Sequence, residues 1–324
     1  MDGQRHRGYT HGVRPRLAIT LGDPAGIGPE ITGACLESAA KLADLVLFGH
    51  PRSIDSFPKT AGSAVDLAPV ADKLDPGDEE GAGGIAMAAL KAGVDAVLEG
   101  SCDGIVTAPV SKASIALVSP GFTGHTEYLA SRAALGRDDV TMAFASERLT
   151  VGLVTTHVPV RDLAATITRE RYERTTRHVI SLARRLGGAA RPVIGVAGFN
   201  PHAGEDGVLG REELDVIGPF CRDMGGSKEA EVRGPIPADT VYRDALAGKY
   251  DAVVAAYHDQ AMIPLKLAGT GTTVNVTMGL PFVRTSPDHG TARDIAGKGI
   301  ANPAGMAMAI EYAARLCSGS NRER

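Results

Sequence analysis

Residues 16–49, RLAITLGDPAGIGPEITGACLESAAKLADLVLFG, decide the fold class. RLAITL is a short apolar run that stops at a glycine. ITGACLESAAKLA is long enough for a helix, and ADLVLFG is a second apolar run. The order is strand, glycine-rich turn, helix, strand, which is how two parallel strands are joined. The alternation continues outward. GGIAMAALKAGVDAVLEG (83–100) reads as a helix and DGIVTAPV (103–110) as a strand. LTVGLVTTH (149–157) reads as a strand and RERYERTTRHVISLARRLG (169–187) as a helix. RPVIGVAGFNPH (191–202) is a strand and REELDVIGPFCRDMG (211–225) a helix. YDAVVAAYHDQ (250–260) and TVNVTMG (273–279) are strands, and AGMAMAIEYAARLC (304–317) is a closing helix. The strands are runs of Val, Ile, Leu and Ala, as expected where both faces are covered. These features predict an α/β fold with largely parallel sheets. Segment 51–83, rich in Asp, Pro and Gly, is expected to be loop. No solenoid-length repeat or low-complexity block interrupts the pattern.

The 324 residues exceed one average domain, so two lobes are expected. With 44% hydrophobic and 22% charged residues, the composition is that of a water-soluble globular protein. A net charge of −4 argues against nucleic acid as partner. Cys35, Cys102, Cys221 and Cys317 form no CxxC pair and read as reduced thiols of a cytoplasmic protein. No apolar stretch is expected to reach the roughly 20 residues of a membrane span. The opening MDGQRHRGYTHGVRPR lacks the apolar centre of a secretory signal, and residues 1–13 read as a disordered tail.

Three histidines follow apolar runs: His157 after VGLVTT, His202 after VIGVAGFNP, and His258 after AVVAAY. Ligands of open α/β sheets bind beyond the carboxyl ends of strands. If the three runs are parallel neighbours, their imidazoles converge, and three neutral imidazoles suit zinc, with magnesium or cobalt as alternatives. The plain alternative for each is a strand-end hydrogen bond. Asp239 in GPIPADT is a further ligand, a partner of the ligands, or a helix N-cap. His6 and His11 lie in the tail, His50 has only a turn beside it, and His178 sits mid-helix among arginines.

In GHTEY, His125 and Thr126 follow a glycine and could bond substrate oxygens, or Thr126 could cap a helix. Lys266, Asn275 and Arg284 offer two cations and an amide, the chemistry a phosphate or carboxylate needs. Lys112 in TAPVSK is either a base or anion contact, or a surface lysine at a helix start. GDPAGIGPE (22–30) could present backbone N–H groups to an anion, but fits neither a Walker A loop nor G-x-G-x-x-G.

TLGDPAGIGPEI, TAPVSK, GHTEYLA, TTHVPVRD, FNPHAGEDG, GPIPADT, YHDQAMIPLK and VNVTMGLPFVRTSPDHGTARDIAGKG occur in order across residues 17–303. As a set they resemble the 4-hydroxythreonine-4-phosphate dehydrogenase (PdxA) family of vitamin B6 biosynthesis. HGTARDIAGKGIANP also resembles the adenosine loop of isocitrate and isopropylmalate dehydrogenases. The resemblance implies two α/β/α lobes around a cleft: 14–127 plus 270–324, with the NAD loop, and 128–269, with the metal ligands and dimer interface. It implies a divalent metal on His157, His202 and His258 with Asp239 nearby, at a site completed across a homodimer. It implies substrate and phosphate on His125, Thr126, Lys266, Asn275 and Arg284, and NAD adenosine on His289, Gly290, Thr291, Ala292 and Asp294. The implied reaction is NAD-dependent oxidation, with decarboxylation, of 4-hydroxythreonine 4-phosphate to 3-amino-2-oxopropyl phosphate. Lys112 is taken as the proton-transfer residue, with Asp239 beside it in the catalytic set.

Relatives of this family oxidise threonate or erythronate phosphates or aromatic dihydrodiols, and a phosphorylated sugar acid is the competing substrate here. LAGTGTTVNVT (267–277) is rich in glycine and threonine where close members of the family often carry an aromatic, a departure that bears on the substrate. A non-catalytic metal- or phosphate-binding protein is the competing reading of another class. Retention of every ligand type speaks against it.

Overall fold

A computed structural model describes residues 14–57, 64–269 and 271–320; the tail expected over 1–13 lies outside the described residues. The strands are β1 (Arg16–Thr20), β2 (Asp44–Gly49), β3 (Val65–Pro69), β4 (Gly104–Thr107), β5 (Thr141–Ala145), β6 (Thr150–Leu153), β7 (Val193–Ala197), β8 (Glu231–Ile236), β9 (Ala252–Ala255), β10 (Val274–Met278) and β11 (Val283–Pro287). They form one eleven-stranded sheet in the order β3-β2-β1-β4-β11-β10-β5-β6-β9-β7-β8. The opening unit is as read: β1 pairs in parallel with β2, and also with β4. Neighbours are parallel except β11–β10, β10–β5 and β5–β6. Those three reversals make the β3-β2-β1-β4-β11 group run opposite to the β6-β9-β7-β8 group.

The helices are α1 (Gly28–Ala39), α2 (Pro51–Asp55), α3 (Glu79–Leu98), α4 (Lys112–Val118), α5 (His125–Arg132), α6 (Leu163–Thr166), α7 (Arg169–Arg185), α8 (Gly218–Gly225), α9 (Ala238–Leu246), α10 (His258–Ala268) and α11 (Ala304–Ser320). They cover both faces. In β1, Leu17 and Ile19 pack with Ile31 of α1 and Met306 of α11, while Ala18 packs with Leu90 and Val94 of α3. In β9, Ala252 and Val254 join Tyr172 and Phe220, and Val253 and Ala255 join Val241 and Leu265. Alternation of side chains along a strand explains the division.

Several expectations need correction. Segment 51–83 holds α2, the edge strand β3 and the start of α3 rather than loop alone. Burial along β3 is only partial, so its sequence carries no apolar run. Strands β5, β8 and β11 were not apparent in the sequence. The helix expected over 211–225 is a π-helical turn, Glu213–Ile217, followed by α8. The strand expected over 250–260 ends at Ala255, and α10 begins at His258. By length and composition α3 could cross a membrane. It is instead a core helix capped by Asp78, whose carboxylate accepts from Gly81 N. It approaches β1 so closely that a Cβ on Gly93 would lie 2.7 Å from Thr20 Cγ2. All four cysteines are buried. Burial pushes Cys35 up to about 11 and Cys221 and Cys317 to about 12, so they are inert thiols.

The rings of Tyr172 and Phe220 pack with centroids 5.5 Å apart, and the Tyr172 hydroxyl is buried without a hydrogen-bond partner among the described residues. Phe220→Ala is expected to cost about 3–5 kcal/mol in urea denaturation. Tyr172→Phe is expected to be neutral or stabilising, because it removes an unsatisfied group. A Tyr172→Phe loss above about 1 kcal/mol would contradict this packing.

Candidate active site

Arg284 lies in β11 and is only 3% exposed. Its Nη1 donates to Thr277 Oγ1 of β10 at 3.0 Å and its Nη2 to Thr107 Oγ1 of β4 at 2.8 Å. The next residue, Thr285, points to the other face and donates to Ala309 O of α11 at 2.7 Å. Arg284 therefore faces away from α11, into a polar patch of Thr107, Thr277 and, by alternation from Thr277, Asn275. Burial lowers the guanidinium to about 10, which leaves it charged at neutral pH. No carboxylate among the described residues pairs with it. Arg284 Nε and Asn275 Oδ1 are buried with no hydrogen-bond partner among the described residues. Such orphaned groups call for a ligand, and a buried cation calls for an anion.

His125 opens α5 beside this patch, and its Nε2 is also buried without a partner among the described residues. Burial, then the Arg284 and Lys112 charges, lower its pKa to about 3. The ring is a neutral hydrogen-bonding group. Gly124 occupies the N-cap position and Thr126 is the second helical residue, so the N-cap alternative for Thr126 does not hold. Lys112 opens α4 behind its N-cap Ser111 and is exposed, as a surface lysine would be. Its Nζ nevertheless lies 3.5 Å from where a Cβ on Gly124 would sit, next to the His125 turn.

The strands preceding the three histidines are parallel neighbours, β6–β9–β7. His157 and His258 stand with ring centroids 5.5 Å apart. Burial and the facing His258 lower the pKa of His157, which favours its neutral form. His258 Nδ1 is 2.7 Å from Asp259 Oδ1, leaving Nε2 free. His202 is exposed in a turn where His202, Ala203, Gly204, Glu205 and Asp206 all have positive φ, between 43° and 82°. Left-handed backbone costs about 1–2 kcal/mol per non-glycine residue. Buried Glu213, in the π-helical turn, holds this strained loop by accepting from Phe199 N at 2.8 Å and Asn200 N at 2.7 Å. Gln260 ties the ends of β9 and β7 together through Ala256 N and Gly198 O, both at 2.7 Å. Among the described residues, no three His, Cys, Asp or Glu side chains are grouped to hold a metal. The structure pairs two of the expected ligands and places the third in the exposed turn that follows the neighbouring strand β7. Asp239 is the second residue of α9, behind Pro237, so it is not the N-cap; it is exposed.

The 289–303 segment packs on the first glycine-rich turn. Ile27 N donates to Thr291 O at 2.9 Å, and a Cβ on Gly26 would meet Thr291 O at 2.8 Å. Glu30 accepts from Gly297 N at 2.8 Å. Arg293 donates to the buried Asp23 and to Glu79 Oε2, both at 2.7 Å. Between turn and loop lies a cavity of about 690 Å³ lined by Gly26, Glu30, Phe57, Ala296, Gly297 and others. His289, Gly290 and Asp294 are exposed, and Thr291 and Ala292 half-buried. The sequence reading missed Glu213, Gln260, the Asp23–Arg293 pair and Asp288. Asp288 lies 3.9 Å from Lys266 Nζ. Its signal was its place in the block TSPDHGTA, directly before His289.

The chain matches the model of the family described as pyridoxal phosphate biosynthetic protein PdxA over residues 32–313. It is 40% identical to a 4-hydroxythreonine-4-phosphate dehydrogenase of Burkholderia vietnamiensis, over 93% of this chain and 96% of that protein. A protein of the same name from Bradyrhizobium diazoefficiens is 39% identical over 95% of this chain and 98% of its own length. The crystal structure of 4-hydroxythreonine-4-phosphate dehydrogenase from Klebsiella pneumoniae superposes with a TM-score of 0.81 at 37% identity, covering 95% of this chain and 100% of that one.

With His125 held near 3, its ring should stay neutral from pH 8 down to pH 5 in an imidazole NMR titration. Below about 6.5 the unfolded chain takes up a proton that the folded chain refuses, so this residue subtracts stability as pH falls from about 6.5 toward 3. A midpoint above 6 would contradict its burial beside Arg284.

Proposed function

The chain belongs to the PdxA family, and from that premise we propose that it oxidises 4-hydroxythreonine 4-phosphate with NAD and a divalent metal. It is an oxidoreductase of the dehydrogenase type. The observation that carries the substrate assignment is Arg284, a buried guanidinium without a carboxylate partner among the described residues. A phosphate supplies the missing counter-charge, and Asn275 and Lys266 join Arg284 around it. His125 and Thr126, at the start of α5, orient the substrate's oxygens.

The donor chemistry fits a divalent transition metal. His157 and His258 are paired, His157 is held neutral, and Asp259 on His258 Nδ1 fixes which nitrogen is free. His202 is the third donor. When bound, the cation supplies a Lewis acid beside the reacting hydroxyl. When bound, NAD supplies the hydride acceptor, with its adenosine on His289, Gly290, Thr291, Ala292 and Asp294 beside the 690 Å³ cavity. Lys112, next to the His125 turn, moves the hydroxyl proton. Asp239, exposed on α9, acts in the catalytic set where a ligand or a second copy reaches it. The assembly we propose is a homodimer with the site at its interface. Exposed Val160, near His157, and Val208, near His202, support this, each 79% accessible.

Arg284→Met keeps the volume and removes the charge. Apo-protein stability is expected to hold or rise, while KM for the phosphorylated substrate rises on the order of 100-fold. A less stable protein with an unchanged KM would mean that Arg284 is structural only. His258→Ala should lower the zinc bound per chain in elemental analysis, and unchanged content would remove His258 from the ligand set.

A further inference from the structure

The substrate proposed above carries an ammonium group as well as anionic ends. Arg284, Lys266, Lys112 and the histidines offer it nothing but cations and neutral donors. An ammonium entering such a site needs a carboxylate, and three of those nearby are committed or exposed. Asp259 is 74% exposed and bonded to His258. Glu127, 32% exposed, faces Arg137 at 3.9 Å, as Asp288 faces Lys266, but it lies on α5 rather than at the end of the Arg284 strand. Asp239 is exposed on α9.

Asp288 differs from all three. It directly follows β11, the strand that carries Arg284. Its side chain is only 23% exposed and accepts no hydrogen bond from a described residue. Lys266, one of the phosphate-binding set, lies 3.9 Å away, beyond hydrogen-bond reach. The charges of Lys266, His258 and His289 act on it. A half-buried carboxylate that no described residue hydrogen-bonds has acceptor capacity to offer a cation.

We propose that Asp288 recognises the substrate's ammonium and sets the preference for an amino-acid phosphate over a hydroxy-acid phosphate. This rests on the phosphorylated-substrate reading above. A hydroxyl at the same carbon, as in threonate 4-phosphate, could still donate to Asp288, but without the charge that strengthens the bond.

The test compares wild type with Asp288→Asn on 4-hydroxythreonine 4-phosphate and threonate 4-phosphate. The wild type should prefer the amino compound. Asp288→Asn should cut kcat/KM for it about 10- to 100-fold more than for the threonate compound, chiefly through KM. Equal losses on both substrates, or a loss confined to kcat, would overturn the proposal, because a general base or a scaffold residue behaves that way. Turnover of neither phosphate by wild type would count against the substrate reading instead. Calorimetric binding of the two phosphates to both proteins then decides Asp288: a selective loss of the amino compound supports it, and equal binding, or none, overturns it. Asp288→Ser, of smaller volume, should reproduce the selective effect if Asp288→Asn folds poorly.

Discussion

A buried guanidinium that no carboxylate among the described residues neutralises is the constraint around which the centre of this protein is arranged. Taking a cation out of water costs several kcal/mol. Arg284 recovers part of that cost from two threonine hydroxyls, one on each neighbouring strand. It can do so only because β11 lies between β4 and β10. The residues that shape the patch come from positions 107, 125, 275, 277 and 284, so chain segments far apart in sequence must close correctly before the site exists. Stability given up here is available as binding energy for an anion.

The reversals at β11–β10, β10–β5 and β5–β6 explain why one rule locates only half of the site. Ligands are expected at the carboxyl ends of parallel strands, and the three histidines follow that rule on β6, β9 and β7. Of the phosphate-binding candidates, Lys266 lies on α10, Asn275 on β10, which runs with the β6 group, and Arg284 on β11, which runs against it. Glu213 and Gln260 fasten the histidine-bearing loops, and the Asp23–Arg293 pair fastens the 289–303 loop to the first turn. Each polar residue anchors a loop whose own sequence does not favour its shape.

Much of this was legible beforehand, for identifiable reasons. Strands β1, β2, β6, β7 and β9 are apolar runs because both faces are covered. Strand β11, VRTSP, was hidden because its polar side chains form the site itself, and β3 and β8 because edge strands need no apolar run. The candidate residues were recognisable by type and by motif. Their geometry was not: nothing in PHAGED announces five successive left-handed residues, and nothing around Arg284 announces that no acid faces it. Asp288 escaped notice because a single carboxylate beside a familiar glycine motif has no periodicity to mark it.

The most direct test of the phosphate assignment is formation of reduced nicotinamide by purified protein with NAD and zinc or magnesium, comparing 4-hydroxythreonine 4-phosphate with unphosphorylated 4-hydroxythreonine. The account predicts turnover of the phosphate ester and little or none of the free amino acid. Equal turnover of the two would contradict it, because the buried charge of Arg284 would then have no part in holding the substrate.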